Sequence, residues 1–215
     1  MPRVKGQTRQ GGSGAATRDR LRDAAAELLI TKGYAAATTR AIAEVAGGDA
    51  ALIAYHYGGL NALLLAALDA SNEVRLAAYR QALADTARRR DVTAALRDLY
   101  AEDRECGHTA LVAQLVAGGL MDRELGREVA RRMRPWLALT EAAVDELLPP
   151  PLRRHAPTRE IAYVIVAAFL GLELLDQLLS EDAEGHAVVD ALTTWRPWAR
   201  TARQRHGQAS RADGS

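Results

Sequence analysis

Apolar residues recur along most of this chain at intervals of three and four, the period of an amphipathic helix, and no stretch alternates as a half-buried strand would. The pattern predicts nine helices. The first covers residues 17–32, with Leu21, Ala24, Ala25, Leu28 and Leu29 on one face, Thr17 as N-cap and Gly33 as its stop. A short second helix, 39–46, is capped by Thr38 and buries Ile42 and Val45, and Gly47-Gly48 turns the chain out of it. A third, 49–56, opens at Asp49, faces Leu52 and Ile53 inward and stops at Gly58-Gly59. A long fourth spans 60–88. The remaining spans are 92–104, 109–117, 122–148, 158–180 and 183–201, with breaks at Arg90-Asp91, Gly107, Gly118-Gly119, Pro149-Pro150-Pro151 and Glu181-Asp182. The predicted fold class is all-α.

Composition agrees. A chain of 215 residues with 48% hydrophobic and 26% charged residues has the balance of a globular protein with a sizeable core. Charge is unevenly spread: eight basic residues face five acidic ones through Leu64, while twenty face twenty-two in the remainder. A basic N-terminal third suggests an anionic partner for that part alone. Residues 1–16, polar and Gly-rich with Arg3, Lys5 and Arg9, are expected to form a disordered basic arm, and 206–215 a disordered tail. Cys106 is the single cysteine, which excludes an internal disulfide and a multi-cysteine zinc cage and suits a cytoplasmic protein. The N-terminus lacks the apolar stretch of a signal peptide. The longest apolar run, Ile161 to Leu172, is twelve residues, short of the roughly 20 that span a bilayer, so no membrane partner is expected.

Catalytic patterns are missing. No G-x-S-x-G, HExxH, CxxC or phosphate-loop motif occurs, and Gly11 to Gly14 is not followed by the Lys a phosphate loop needs. Cys106 and His108 stand two apart, a spacing that points their side chains away from each other on a helix. The expectation is a non-enzyme without metal or cofactor.

The first three helices have the proportions of a helix-turn-helix head, in which the second short helix enters the major groove and neighbouring groups grip phosphates. That helix ends in Tyr55-His56-Tyr57, three rings in a chain with only 5% Phe, Trp and Tyr. A ring with a polar tip can rest its body on protein and aim its tip at a phosphate. Tyr57 is expected to close the head against the fourth helix.

From Thr17 to Leu64 the chain resembles the DNA-binding domain of TetR-family transcriptional regulators. The resemblance rests on Arg18, Leu21, the Ala-Ala and Leu-Leu pairs, Gly33-Tyr34, Thr38, Ile42-Ala43, Ala46-Gly47, Ile53, the ring triplet, Gly58 and Leu63-Leu64, in order and at spacing. It implies a head over 17–64, with Thr38, Arg40, Asp49, Ala50, Ala51, Ala54, Tyr55 and His56 at a double-stranded operator. The sequence departs from the family pattern at Gly48, at Asp49 where Ser or Thr is usual, and at Leu60 where a Lys is usual; loss of that Lys removes a phosphate contact. The alanines offer only methyl contacts to bases, so shape readout carries more than usual.

Beyond the head, residues 65–205 are expected to bind a ligand and to dimerise. The 158–180 helix is apolar on nearly every face, which suits burial on both sides. Ile165, Phe169, Leu172, Leu175 and Leu179, with Val188, Leu192 and Trp195 of the last helix, are the candidate homodimer interface. Pocket candidates are Tyr100, Leu111, Leu115, Met133, Trp136, Leu137 and Phe169, with His108, Gln114 and Glu173 as polar groups, Met121 and Met133 as deformable ones, and Gly118-Gly119 as a hinge or a tight turn. The resemblance implies the same arrangement: a dimer with a small-molecule effector inside each body. The function expected is a repressor released from a near-palindromic operator by its effector; activation in place of repression, and a helical ligand- or partner-binding dimer with weakened DNA affinity, stay open.

Overall fold

The computed structural model describes residues 10–89 and 92–179, and among them every regular element is helical. Helix α1 runs Gln10–Lys32. It starts before Thr17, which sits inside the helix with Oγ1 accepting from Arg20 at 3.4 Å and caps nothing. Residues 10–16 of the expected arm are thus helical. Their composition carries no apolar face to mark them, but extending an anchored helix adds one hydrogen bond for each residue fixed.

Gly33, at φ 81°, turns the chain into a 3-10 turn over Tyr34–Ala36 that the apolar pattern did not signal. Helix α2 covers Thr39–Val45 and is capped as expected, Thr38 Oγ1 accepting from the Ala41 N–H at 3.2 Å. Its buried side is centred on Ile42 and Ala43, which leaves Val45 exposed rather than buried. Helix α3, Ala51–Tyr57, starts two residues after Asp49, whose carboxylate accepts from the Ala51 N–H at 2.7 Å. Gly58, left-handed at φ 79°, ends it.

The body consists of α4 (Leu60–Arg89), α5 (Val92–Glu105), α6 (His108–Met121), α7 (Arg123–Leu147), the one-turn α8 (Pro150–Arg153) and α9 (Thr158–Leu179). The break expected at Gly118-Gly119 does not occur, because α6 runs through both. Packing explains their use. A Cβ on Gly118 would come within 2.5 Å of the Tyr34 ring, and one on Gly119 within 2.7 Å of the Gly126 backbone on α7. Close approach overrides the poor helix propensity of glycine there.

One apolar cluster joins Leu21, Leu28 and Leu29 of α1, Ile42, Ile53, Leu63, Leu64 and Leu68 to Leu111, Leu115, Leu125 and Val129. The core beneath the first three helices therefore continues into the body across residue 64. Helix α9 packs on α6 and α7 but leaves Tyr163, Val164, Leu175, Leu178 and Leu179 in the open. By length and composition alone it could cross a membrane. Its unbroken apolar run is the twelve residues read from the sequence, and Glu173 and Asp176, which interrupt the apolar pattern, are turned into the protein. The predicted 183–201 helix, with Val188, Leu192 and Trp195, lies outside the described residues, as do Arg3, Lys5 and Arg9.

Candidate nucleic-acid interface and body cavity

Helices α2 and α3 place Thr38, Arg40, Asp49, Ala50, Ala51, Ala54 and Tyr55 on the exposed surface of the head, with His56 half-buried beside them. Tyr55 is 81% exposed, its ring edge-on to His56 at 4.9 Å. An aromatic ring left open in this way is available for contact with a partner. Arg40 has no ion pair among the described residues, while the carboxylate of Asp49 is engaged at the Ala51 N–H.

Tyr57 is half-buried against the apolar core. Its hydroxyl donates to the Arg18 carbonyl at 2.7 Å, and the Arg18 guanidinium lies over its ring at 5.2 Å. The hydroxyl thus ties α3 back to α1, while the ring packs against the apolar core to which Leu63 and Leu64 of α4 belong. Burial raises its pKa, against the pull of Arg18.

The body holds a cavity of 180 Å³, partly open to solvent, between α4, α5, α6, α7 and α9. Its wall on α7 is a helical stripe, Met133, Trp136, Thr140, Ala143, Val144 and Leu147. Phe169, Leu170, Ile165 and Val166 of α9 face it, and His108, Thr109 and Val112 of α6 close one end. Four residues of α4 at helical spacing support this site. Ser71 Oγ meets His108 Nδ1 at 2.7 Å, and Asn72 Oδ1 accepts from Trp136 Nε1–H at 2.8 Å. Arg75 pairs with Asp103 and reaches Glu102 at 3.0 Å and the Leu99 carbonyl at 3.1 Å. Tyr79 donates its hydroxyl to Asp103 Oδ2 at 2.5 Å.

His108 is 5% exposed, and burial, with the Arg75 charge second, lowers its pKa to about 4. It is therefore a neutral ring at neutral pH. Burial raises the pKa of Asp103, outweighing Tyr79 and Arg75, which favour its ionised form.

Of the residues expected at a pocket, His108, Met133, Trp136 and Phe169 line this cavity. Tyr100 lies behind the wall, fully buried and edge-on to Phe169 at 5.1 Å. Leu111 and Leu115 belong to the apolar core, Leu137 stands beside the cavity without lining it, and Met121 is exposed on the surface. Gln114 faces the head. Glu173 is buried: Oε1 accepts from Gln177 at 3.1 Å, and Oε2 has no partner among the described residues. Of the interface candidates, Ile165 and Phe169 turn toward the cavity, Leu172 is half-buried, and Leu175 and Leu179 are exposed. Sequence reasoning missed Ser71, Asn72, Arg75, Tyr79 and Asp103. The available signal was a polar stripe at positions 71, 72, 75 and 79 inside the long fourth helix.

A chain of amides links the two regions. The Tyr34 N–H donates to Gln114 Oε1 at 2.9 Å, Gln114 Nε2 to Gln177 Oε1 at 2.7 Å, and Gln177 Nε2 to Glu173 Oε1 at 3.1 Å. Helix α6 thus lines the cavity with its first turns and grips the head at mid-length.

Residues 21–67 match the family profile of bacterial regulatory proteins of the tetR family. A TetR-family member from Streptomyces coelicolor A3 superposes with a TM-score of 0.58 at 26% identity, over 83% of this chain and 96% of its own. Over residues 21–67 the chain is thus similar in sequence to the tetR family, and the fold as a whole is similar to that of tetR-family structures. The multidrug binding protein EbrR, in complex with imidazole, is 25% identical with a TM-score of 0.55, over 90% of this chain and 95% of its own. The fatty acid degradation regulator FadR from Bacillus halodurans shares the fold at 15% identity, with a TM-score of 0.67 over 87% of this chain and 95% of its own. No curated protein sequence matches significantly. The tetR fold accounts for a helix-turn-helix head on a helical body.

Proposed function

We propose that this chain is a tetR-family repressor whose head, residues 17–64, holds an operator and whose body, 65–205, binds a small effector in the α4–α9 cavity and pairs with a second copy. The observation that carries this reading is the double attachment of α6: His108, Thr109 and Val112 face the cavity, and Gln114 and Gly118 hold Tyr34 at the base of the head. An effector that shifts α6 acts on the head directly, provided it binds the two arrangements with different affinity. The names of the neighbours, a multidrug binding protein and a fatty acid degradation regulator, support a ligand-receiving body.

The open face of α9 supports pairing, since Val164, Leu175, Leu178 and Leu179 would be covered by a second copy. Two heads about 34–36 Å apart would read successive major grooves. Fragments of source-genome DNA retained by the protein supply the operator. Fluorescence anisotropy on that fragment should then give tight, salt-sensitive binding that an effector reverses. Binding that no effector relieves would overturn the repressor reading.

The bare surface of α3, with Ala50, Ala51 and Ala54 where longer readers would stand, favours a second reading: a ligand-binding dimer of weak DNA affinity. Heparin chromatography separates the two. A repressor is retained at about 50 mM salt and elutes steeply; passage without retention supports the second.

A further inference from the structure

We propose that the effector taken by this cavity is a neutral, flat aromatic molecule of one or two rings that presents a single hydroxyl to the polar end of the cavity at His108 Nε2 and Thr109. The inference rests on reading the cavity as the effector site and names the chemistry that site selects. Size sets the first limit. A dry cavity of about 150 Å³ accepts one benzene ring, so 180 Å³ suits one ring or two fused ones. Shape sets the second, because Tyr79, His108, Trp136 and Phe169 all contribute rings to the lining. Offset and edge-on ring contacts favour a flat π-system over a branched aliphatic one.

Charge sets the third. The ionised groups near the cavity are already matched: Asp103 is held by Arg75 and Tyr79, and Arg75 also by Glu102. A charged effector would lose its water and find no free counter-charge, an unfavourable transfer.

The remaining polar capacity belongs to His108 and to Thr109, whose Oγ1 is buried with no partner among the described residues. Nδ1 is engaged with Ser71, leaving Nε2 on the other edge of a ring that lines the cavity. Which of Ser71 Oγ and His108 Nδ1 donates follows the ring's tautomer, and in either one Nε2 is a hydrogen-bonding group that a hydroxyl, both donor and acceptor, can meet. The cavity thus gathers its open polar atoms at the first turn of α6 in an otherwise carbon-lined space, and its complement is one hydroxyl on an apolar skeleton.

The test uses the full chain and four probes on one skeleton: 1-naphthol, naphthalene, 1-naphthoate and 1-naphthylmethylammonium, titrated by calorimetry at pH 7. The two charged probes should bind at least about tenfold more weakly than the neutral pair. His108→Phe should cut the preference for naphthol over naphthalene by about fivefold to tenfold, the worth of one hydrogen bond. Should that variant fail to fold, the Nε2 nitrogen resonance of His108 in the unaltered protein decides: naphthol shifts it and naphthalene leaves it in place. A charged probe that binds as tightly as naphthol, or a resonance indifferent to naphthol, overturns the proposal. Operator release is measured separately. Naphthol-selective binding without release upholds the ligand class and sinks the repressor reading; release by a charged effector alone does the reverse.

Discussion

The backbone N–H of Tyr34 donates to the side-chain oxygen of Gln114 at 2.9 Å, across eighty positions of sequence. It is a direct polar fastening of the head to α6. Gln114→Leu keeps the bulk and removes the acceptor, leaving a half-buried N–H unsatisfied at about 1–3 kcal/mol. The variant should unfold at lower temperature. It should still bind operator DNA, yet need more effector for release; anisotropy with and without effector reads both.

Gly118 meets the face of Tyr34 where no Cβ fits. Gly118→Ala should destabilise the protein by about 1–3 kcal/mol through overpacking, even though alanine is the better helix former. Thermal denaturation checks the sign. Pairing it with Tyr34→Leu should recover part of the loss, whereas additive losses would show that the two residues do not compete for one space.

His108 gives a pH dependence of definite sign. The unfolded ring takes up a proton below about 6.5, the buried one only near 4. Stability from this residue is complete above 6.5 and declines as the pH falls to 4, by on the order of 3 kcal/mol. Asp103, whose folded pKa is raised, works the other way in its own lower window. His108→Gln isolates the first effect. Between pH 7 and 4.5 its melting temperature should fall less than that of the unaltered chain.

These residues show what sequence could and could not reveal. Helix order was legible because core positions such as Leu21, Leu28, Ile42 and Ile53 repeat at the helical period, and the cap at Thr38 and the turn at Asp49 mark starts. The head was legible because its short elements are each set by local residues. Gly118 and Gly119 misled, since a glycine kept for close approach looks like a glycine kept for a turn. The cavity was half legible: Trp136 and Phe169 stand out by type, but the partnership of Ser71 with His108 is 37 positions long and leaves no local trace.

Leu178 is 80% exposed on α9. Leu178→Glu should leave the melting curve of the chain nearly unchanged, because surface substitutions usually shift stability by less than about 0.5 kcal/mol. Sedimentation should nevertheless move from dimer toward monomer, as a charge buried at a paired face is strongly disfavoured. An unshifted dimer would place the contact elsewhere.

Arg40 stands open on α2. Arg40→Ala should weaken DNA binding on every sequence alike and reduce the slope of log K against log salt by about 1, if its contact is to a phosphate. A change confined to one operator position would assign it to a base instead.

Helix α4 carries Leu63 and Leu64 beneath the head at one end and Tyr79 at the cavity farther along, with no break between them. Nineteen residues of helix separate Leu60 from Tyr79, a rigid arm of ~28 Å at 1.5 Å per residue. Pivoted at the cavity by ~5°, such an arm swings its far end ~2–3 Å, close to the ~3.4 Å step between stacked base pairs. A small wedge beside Tyr79 is magnified by leverage into a misfit on the scale of the duplex itself.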